Sequence, residues 1–172
     1  VDFMRCLKET DGVETVTLTT NGMFVKEHID EFKHMGLDGI NISLDTLDRK
    51  QFHRLTGTDG VDAVVDAVAA CVSAGLKTKI NSVLLSETKS QILRLAHLAQ
   101  EMPVDVRFIE VMPIGFGRFE KGPTEDAVLQ ILQAEYPDLA YRRDVRGNGP
   151  AVYYGSGLLQ GHIGFIAANT HR

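Results

Sequence analysis

The sequence has 172 residues, 44% hydrophobic and 24% charged. That composition suits one globular domain with a real core and excludes disordered, collagen-like and disulfide-scaffold classes. Its 18 Lys+Arg against 23 Asp+Glu leave a net charge of −5, which argues against a general binder of nucleic acid or anionic membrane, because both need a basic field. No apolar run reaches the roughly 20 residues of a membrane helix. No signal peptide is read at the start either, so a cytoplasmic location is expected. The opening Val1-Asp2-Phe3 leads us to expect a piece of something longer. Cys6 and Cys71 are the only cysteines and form no Cys-x-x-Cys pair, so they read as structural thiols of a reducing compartment.

Taken in chain order, residues 3–8 read as the end of a helix closed by the Asp11-Gly12 turn, and 13–20 as a strand. A helix is expected over 25–35, with Val25, Ile29 and Phe32 on one face and Gly36 as its stop. A strand over 39–44 and a short helix over 48–55 follow, with Asp48 as N-cap. The next helix, 61–74, carries Val61, Val64, Val65, Val68 and Val72 as its buried stripe and ends at Gly75. A third strand over 77–85 is followed by a helix with Ile92, Leu95, Ala96, Ala99 and Met102, stopped by Pro103. The fourth strand covers 104–112. Strands separated by helices at this spacing mean repeated βαβ units, a parallel sheet and right-handed crossovers. After Met112 the rhythm breaks. Residues 113–122 read as a Gly-rich loop, Thr124 caps a helix that Pro137 terminates, and 142–150 read as a polar loop. Two short strand-like runs, 152–154 and 162–167, complete an irregular, antiparallel tail. The expected division is therefore 1–112, the βα units, and 113–172, a C-terminal α+β region.

The strands share an unusual pattern. A parallel strand covered on both faces reads as continuous apolar sequence, whereas these alternate. Thr15, Thr17, Thr19 and Asn21 alternate with Val16, Leu18 and Thr20; Asn41, Ser43 and Asp45 with Ile40, Ile42 and Leu44. Lys79 and Asn81 alternate with Ile80, Ser82 and Leu84; Asp105 and Arg107 with Val106 and Phe108. Alternate residues point to opposite faces, so four strands each carry one apolar and one polar face. The polar faces line either a wet cavity or an open, solvated side. A mid-strand cation such as Lys79 or Arg107 is costly to bury without an anionic partner. A bound phosphate or carboxylate would serve, as would Asp105 for Arg107.

Thr19-Thr20-Asn21-Gly22, Asn41-Ile42-Ser43-Leu44-Asp45, Lys79-Ile80-Asn81 and Arg107-Phe108-Ile109-Glu110-Val111-Met112, in this order, resemble the radical S-adenosylmethionine (SAM) enzymes. Within them, the tail Gly149-Pro150-Ala151 and 161–166 is similar to the branch that cyclises GTP in the first step of molybdopterin synthesis. The resemblance implies a partial (β/α) barrel with outer helices, an iron–sulfur lyase, and a homodimer. It implies SAM, GTP and two [4Fe-4S] clusters as small-molecule partners and cofactors. Matched position by position, it implies GTP contacts at Thr19 and Lys79, SAM contacts at Ser43 and Met112, and a basic pocket position at Arg107. Asn21 and Asn81 belong to the matching motifs as possible pocket residues without an assigned ligand, as does Asp45. Met112 has the opposite parity in its strand, which a backbone contact from the strand end would reconcile.

The family's Cys-x-x-x-Cys-x-x-Cys and the Gly-Gly-Glu-Pro strand are absent from this sequence, and so are the second set of cluster cysteines and its arginines. The expectation is an internal fragment, inactive by itself, that binds no cluster. Gly115-x-Gly117 reads as a loop rather than a phosphate cradle. His28, His34, His53, His97, His162 and His171 form no ligand spacing and read as surface or cap residues. Asp45 and Glu110 are candidates for acid–base work or, more simply, hydrogen-bonding residues. Two alternative functions stand beside the main one. One is a barrel lyase or aldolase using Lys79 as a Schiff-base nucleophile; the other is a non-catalytic nucleotide-binding module.

Overall fold

A computed structural model describes residues 1–118, 122–143 and 149–167. The elements are α1 (Asp2–Lys8), β1 (Thr17–Thr20), α2 (Ile29–His34), β2 (Gly39–Ser43), α3 (Arg49–Thr56), α4 (Val61–Ser73), β3 (Thr78–Leu84), α5 (Ile92–Glu101), β4 (Asp105–Glu110), α6 (Glu125–Glu135), β5 (Ala140–Arg142), β6 (Val152–Gly155) and β7 (Ile163–Ile166). Short 3-10 turns occupy Val25–His28, Ser86–Gln91 and Gly115–Arg118.

Local chemistry sets most of these boundaries. The Asp48 carboxylate accepts from the Gln51 N–H at 2.8 Å, and Gly57 ends α3 in the left-handed conformation at φ 73°. The Thr124 hydroxyl accepts from Ala127 N–H, and the Glu110 carboxylate accepts from Glu125 N–H at 2.8 Å. The start of α6 thus gains two acceptors, one of them an anion that complements the helix dipole. Residues 25–35, expected as one helix, divide into the 3-10 turn and α2, because His28 has the non-helical φ of −117°.

The strands form one open seven-stranded sheet in the order β1-β2-β3-β4-β7-β6-β5. β1 to β4 are parallel, β7 is parallel to β4, and β6 and β5 continue antiparallel. The tail therefore differs from its expected form in two respects. β7 extends the parallel sheet, and 140–142, expected outside any strand, form β5. All three residues of β5 are exposed, so no apolar alternation marks them; pairing with β6 alone makes the strand.

The even-numbered residues of β2, β3 and β4 face the helices. Ile40, Ile42, Ile80, Val106 and Phe108 are fully buried and join one core with Val64, Val68 and Cys71 of α4, Leu95, Ala96 and Ala99 of α5, and Val128 and Leu132 of α6. Each large side chain buried there contributes about 1.5–3 kcal/mol. Ile163 and Phe165 of β7 belong to the same core. Gly22, just past β1, adopts φ +85°, and a Cβ there would lie 2.9 Å from Ile42 Cγ2 and 3.1 Å from Val64 Cγ1. That glycine lets the turn after β1 settle onto β2 and α4. None of Thr19, Asn41, Lys79, Asn81 and Arg107 enters the core.

Candidate functional site

Register collects the polar residues into rows. Thr19 pairs with Asn41, Asn41 with Lys79, and Lys79 with Asp105. In the next row Ser43 pairs with Asn81, Asn81 with Arg107, Arg107 with Gly164, and Gly164 with Tyr153. Directly paired residues share a face. A cavity of about 750 Å³ lies on this face, lined by Thr17, Asn41, Lys79, Asp105 and Arg107 among others, while Thr19 and Asn81 stand outside its lining and reach it through Asn41 and Arg107.

Arg107 anchors the face. Its Nε donates to Asn81 Oδ1 at 2.8 Å and its Nη2 to Asn41 Oδ1 at 2.7 Å. Asn41 Nδ2 in turn donates to Thr19 Oγ1 at 3.2 Å. Two strands thereby fix one guanidinium through neutral amide oxygens, and Thr19 on a third steadies one of those amides. The alternative in which Asp105 pairs with Arg107 is not realised; Asp105 Oδ1 lies 3.4 Å from His162 Nδ1. Among the described residues Arg107 has no carboxylate partner, so its positive charge is oriented but not neutralised, which suits an anionic ligand.

Lys79, the second cation, reaches across the face to β6. Its Nζ lies 3.2 Å from Tyr153 Oη and 5.4 Å from the centre of the Tyr153 ring. Tyr153 is only 4% exposed. The sequence marks it as a strand residue but gives it no role, because β6 has no clear alternation and its pairing with Gly164 exists only in the folded sheet.

A smaller cavity of about 300 Å³ opens past the ends of β1 and β2, lined by Asn21, Ser43, Asp45, Thr46 and apolar residues that include Met23, Phe24 and Phe52. Asp45 Oδ1 accepts the Val83 N–H at 2.7 Å. Burial raises its pKa above the usual 3.8, and that hydrogen bond partly offsets the rise. Asp45 and Glu110 thus take different backbone N–H groups, the hydrogen-bonding role expected for them. Met112 is exposed and lines neither cavity; its carbonyl accepts from Ile114 N–H at 2.7 Å. Gly117 packs over that carbonyl so closely that a Cβ would stand 2.1 Å from it, so Gly115-x-Gly117 is a tight backbone turn rather than an open loop. His162, expected at the surface or as a cap, is half-buried beside Asp105. His171 lies outside the described residues.

The residues present do not fit an iron–sulfur cluster. Cys6 is exposed on α1 and Cys71 is buried in α4. Burial pushes the Cys71 thiol pKa up to about 11, against the thiolate form a cluster requires. Among the described residues no group of three or more His, Cys, Asp or Glu could hold a metal ion. None of the described helices is long and apolar enough to cross a membrane.

The GTP 3′,8-cyclase of Clostridium perfringens strain 13 is 39% identical over 169 residues, covering 98% of this chain and 52% of that protein. The GTP 3′,8-cyclase of Rhodopirellula baltica is 35% identical, covering 99% of this chain and 49% of its own length. Molybdenum cofactor biosynthesis protein moc-5 of Caenorhabditis elegans is 31% identical, covering 98% of this chain and 28% of that protein. The chain thus spans about half the length of the first two of these curated relatives. The model of the radical SAM superfamily matches residues 1–99, the stretch that holds β1 to β3 with Thr19, Ser43, Lys79 and Asn81, and by that match the chain belongs to the radical SAM superfamily.

Proposed function

We propose that this sequence works as part of a GTP 3′,8-cyclase, supplying part of the GTP and SAM pocket for the first step of molybdopterin synthesis. The observation that carries the reading is the face shared by Lys79 and Arg107, two cations beside a cavity of about 750 Å³, with Arg107 held only by amide oxygens. A triphosphate is the ligand class such a face attracts. In this reading Thr19 and Lys79 contact GTP, and Arg107 and Asn81 shape the same pocket. Ser43 and Asn21 serve SAM from the smaller cavity, and Met112 is a further SAM contact in the whole protein. The five parallel strands form part of a barrel, and the whole protein is a cytoplasmic homodimer. SAM and two [4Fe-4S] clusters supply the radical chemistry; the residues of this chain bind and orient. Cluster ligation falls to cysteines other than Cys6 and Cys71, so this chain alone is expected to turn over no GTP and to show no iron–sulfur absorption.

Equilibrium binding to the full-length protein tests the assignment. Lys79→Ala and Arg107→Ala are each expected to weaken GTP at least tenfold and leave SAM within twofold, about the worth of one charge-assisted contact. Ser43→Ala is expected to do the reverse. Equal losses of both ligands in all three variants, or none, would refute the division of roles.

A further inference from the structure

We infer that Tyr153 is a positioning residue that holds the Lys79 ammonium toward the substrate's anionic groups and couples the C-terminal strands to the pocket. The inference rests on the reading of Lys79 as a GTP contact and goes beyond it in naming what aims that lysine. The two cations of the face are oriented by different means. Arg107 is fixed by Asn81 and Asn41 from neighbouring strands. Lys79 instead meets the hydroxyl of Tyr153, at 3.2 Å, from a strand three places away in the sheet. A lysine on a four-carbon stem has many rotamers, and ordering it costs up to about 2 kcal/mol. A buried aromatic hydroxyl beside the ammonium, with the ring 5.4 Å from Nζ, selects one of them before substrate arrives.

The sheet is shaped to allow this. Tyr153 and Arg107 both pair with Gly164, which separates them. A Cβ on Gly164 would stand 2.9 Å from Arg107 Cγ and 2.9 Å from Tyr153 Cε1. The Tyr153 ring therefore lies over Gly164, packed toward Arg107 on one side and meeting Lys79 at its tip. It meets the Lys79 ammonium while being only 4% exposed itself. A tyrosine serving only the core would have no need to bring its hydroxyl to a half-buried lysine on the polar face.

The test is a double-mutant cycle on the full-length, cluster-loaded protein, read as equilibrium affinity for GTP and separately for SAM. Tyr153→Phe keeps the ring over Gly164 and removes only the hydroxyl. It is expected to weaken GTP about fivefold to tenfold, with SAM within twofold, and to have no further effect once Lys79 is alanine. Tyr153→Met serves if the Phe variant does not accumulate folded, with the same outcomes expected. If Lys79→Ala weakens GTP and Tyr153→Phe does not, or if the two losses simply add, the inference is overturned and the GTP reading stands. If Lys79→Ala leaves GTP affinity unchanged, the GTP reading fails and takes the inference with it.

Discussion

Arg107 is the residue with most resting on it. Its guanidinium occupies the carbonyls of Asn41 and Asn81 at once, a fork that an ammonium cannot reproduce. Arg107→Met is expected to cost about 1 kcal/mol of stability, the net worth of such hydrogen bonds, measured by chemical denaturation. A loss above about 3 kcal/mol would mean that the side chain is a core element. The two thiols give a sharper test. Cys6 is exposed, while Cys71 is fully buried with its pKa pushed up to about 11. A thiol reagent at neutral pH is expected to label Cys6 quickly and Cys71 only on unfolding, as peptide mapping would read it. Rapid native labelling of Cys71 would contradict the packing of α4. Thr19, Asn41, Ser43, Lys79, Asn81 and Arg107 were legible as one polar face from strand parity alone, whereas Thr46 and Tyr153 were not. Nor were the partners within that face, because a hydrogen bond from β4 to β2 depends on register, which no single strand encodes.

Among the elements, the turn after β1 bears most directly on the site, since it carries Asn21 to the smaller cavity. Gly22 at φ +85° has Ile42 and Val64 against its missing side chain, whereas Gly75 at φ +78° has open space. Gly75→Ala should lose about 1 kcal/mol for backbone strain alone. Gly22→Ala should lose that and more, about 2–3 kcal/mol, because a methyl must displace packed core atoms. Comparable losses in thermal or denaturant melts would mean that α4 yields freely. The helices over 49–56, 61–73, 92–101 and 125–135 were readable from their stripes and stops, because local capping and periodicity decide them. β5 and the placement of β7 were not, since their pairing energy comes wholly from β6 and β4.

For the whole molecule, two aspartates pull the pH dependence of stability in opposite directions. Asp38 accepts from Lys8 Nζ at 2.8 Å and from Val16 N–H at 2.7 Å, tying α1 to the approach of β1. The Lys8 hydrogen bond and then that of Val16 lower its pKa from 3.8. The unfolded chain therefore takes up the proton first. The stability Asp38 contributes is present above pH 3.8 and is lost as pH falls through the lower folded value. Asp45 is the reverse. Burial raises its pKa above 3.8, so the folded state holds the proton longer and a penalty sets in as pH rises through the raised value. Asp38→Asn is expected to be destabilising at neutral pH and to converge with the unaltered protein in acid. Asp45→Asn should match it in acid and gain on it toward neutral pH. Denaturation midpoints across that range would show the two trends, and a common sign for both would refute the assignment.

Composition, helix stops and the parity of four strands were enough to establish an α/β sheet with one apolar and one polar face, because those signals are local and periodic. Tertiary structure alone decided what the polar face does with its charges. Arg107 turns to asparagines rather than to Asp105, Lys79 meets a tyrosine 74 positions away, and a glycine clears the space between them. Such pairings arise from strand order and register across the sheet, and chain-local physics carries no information about either.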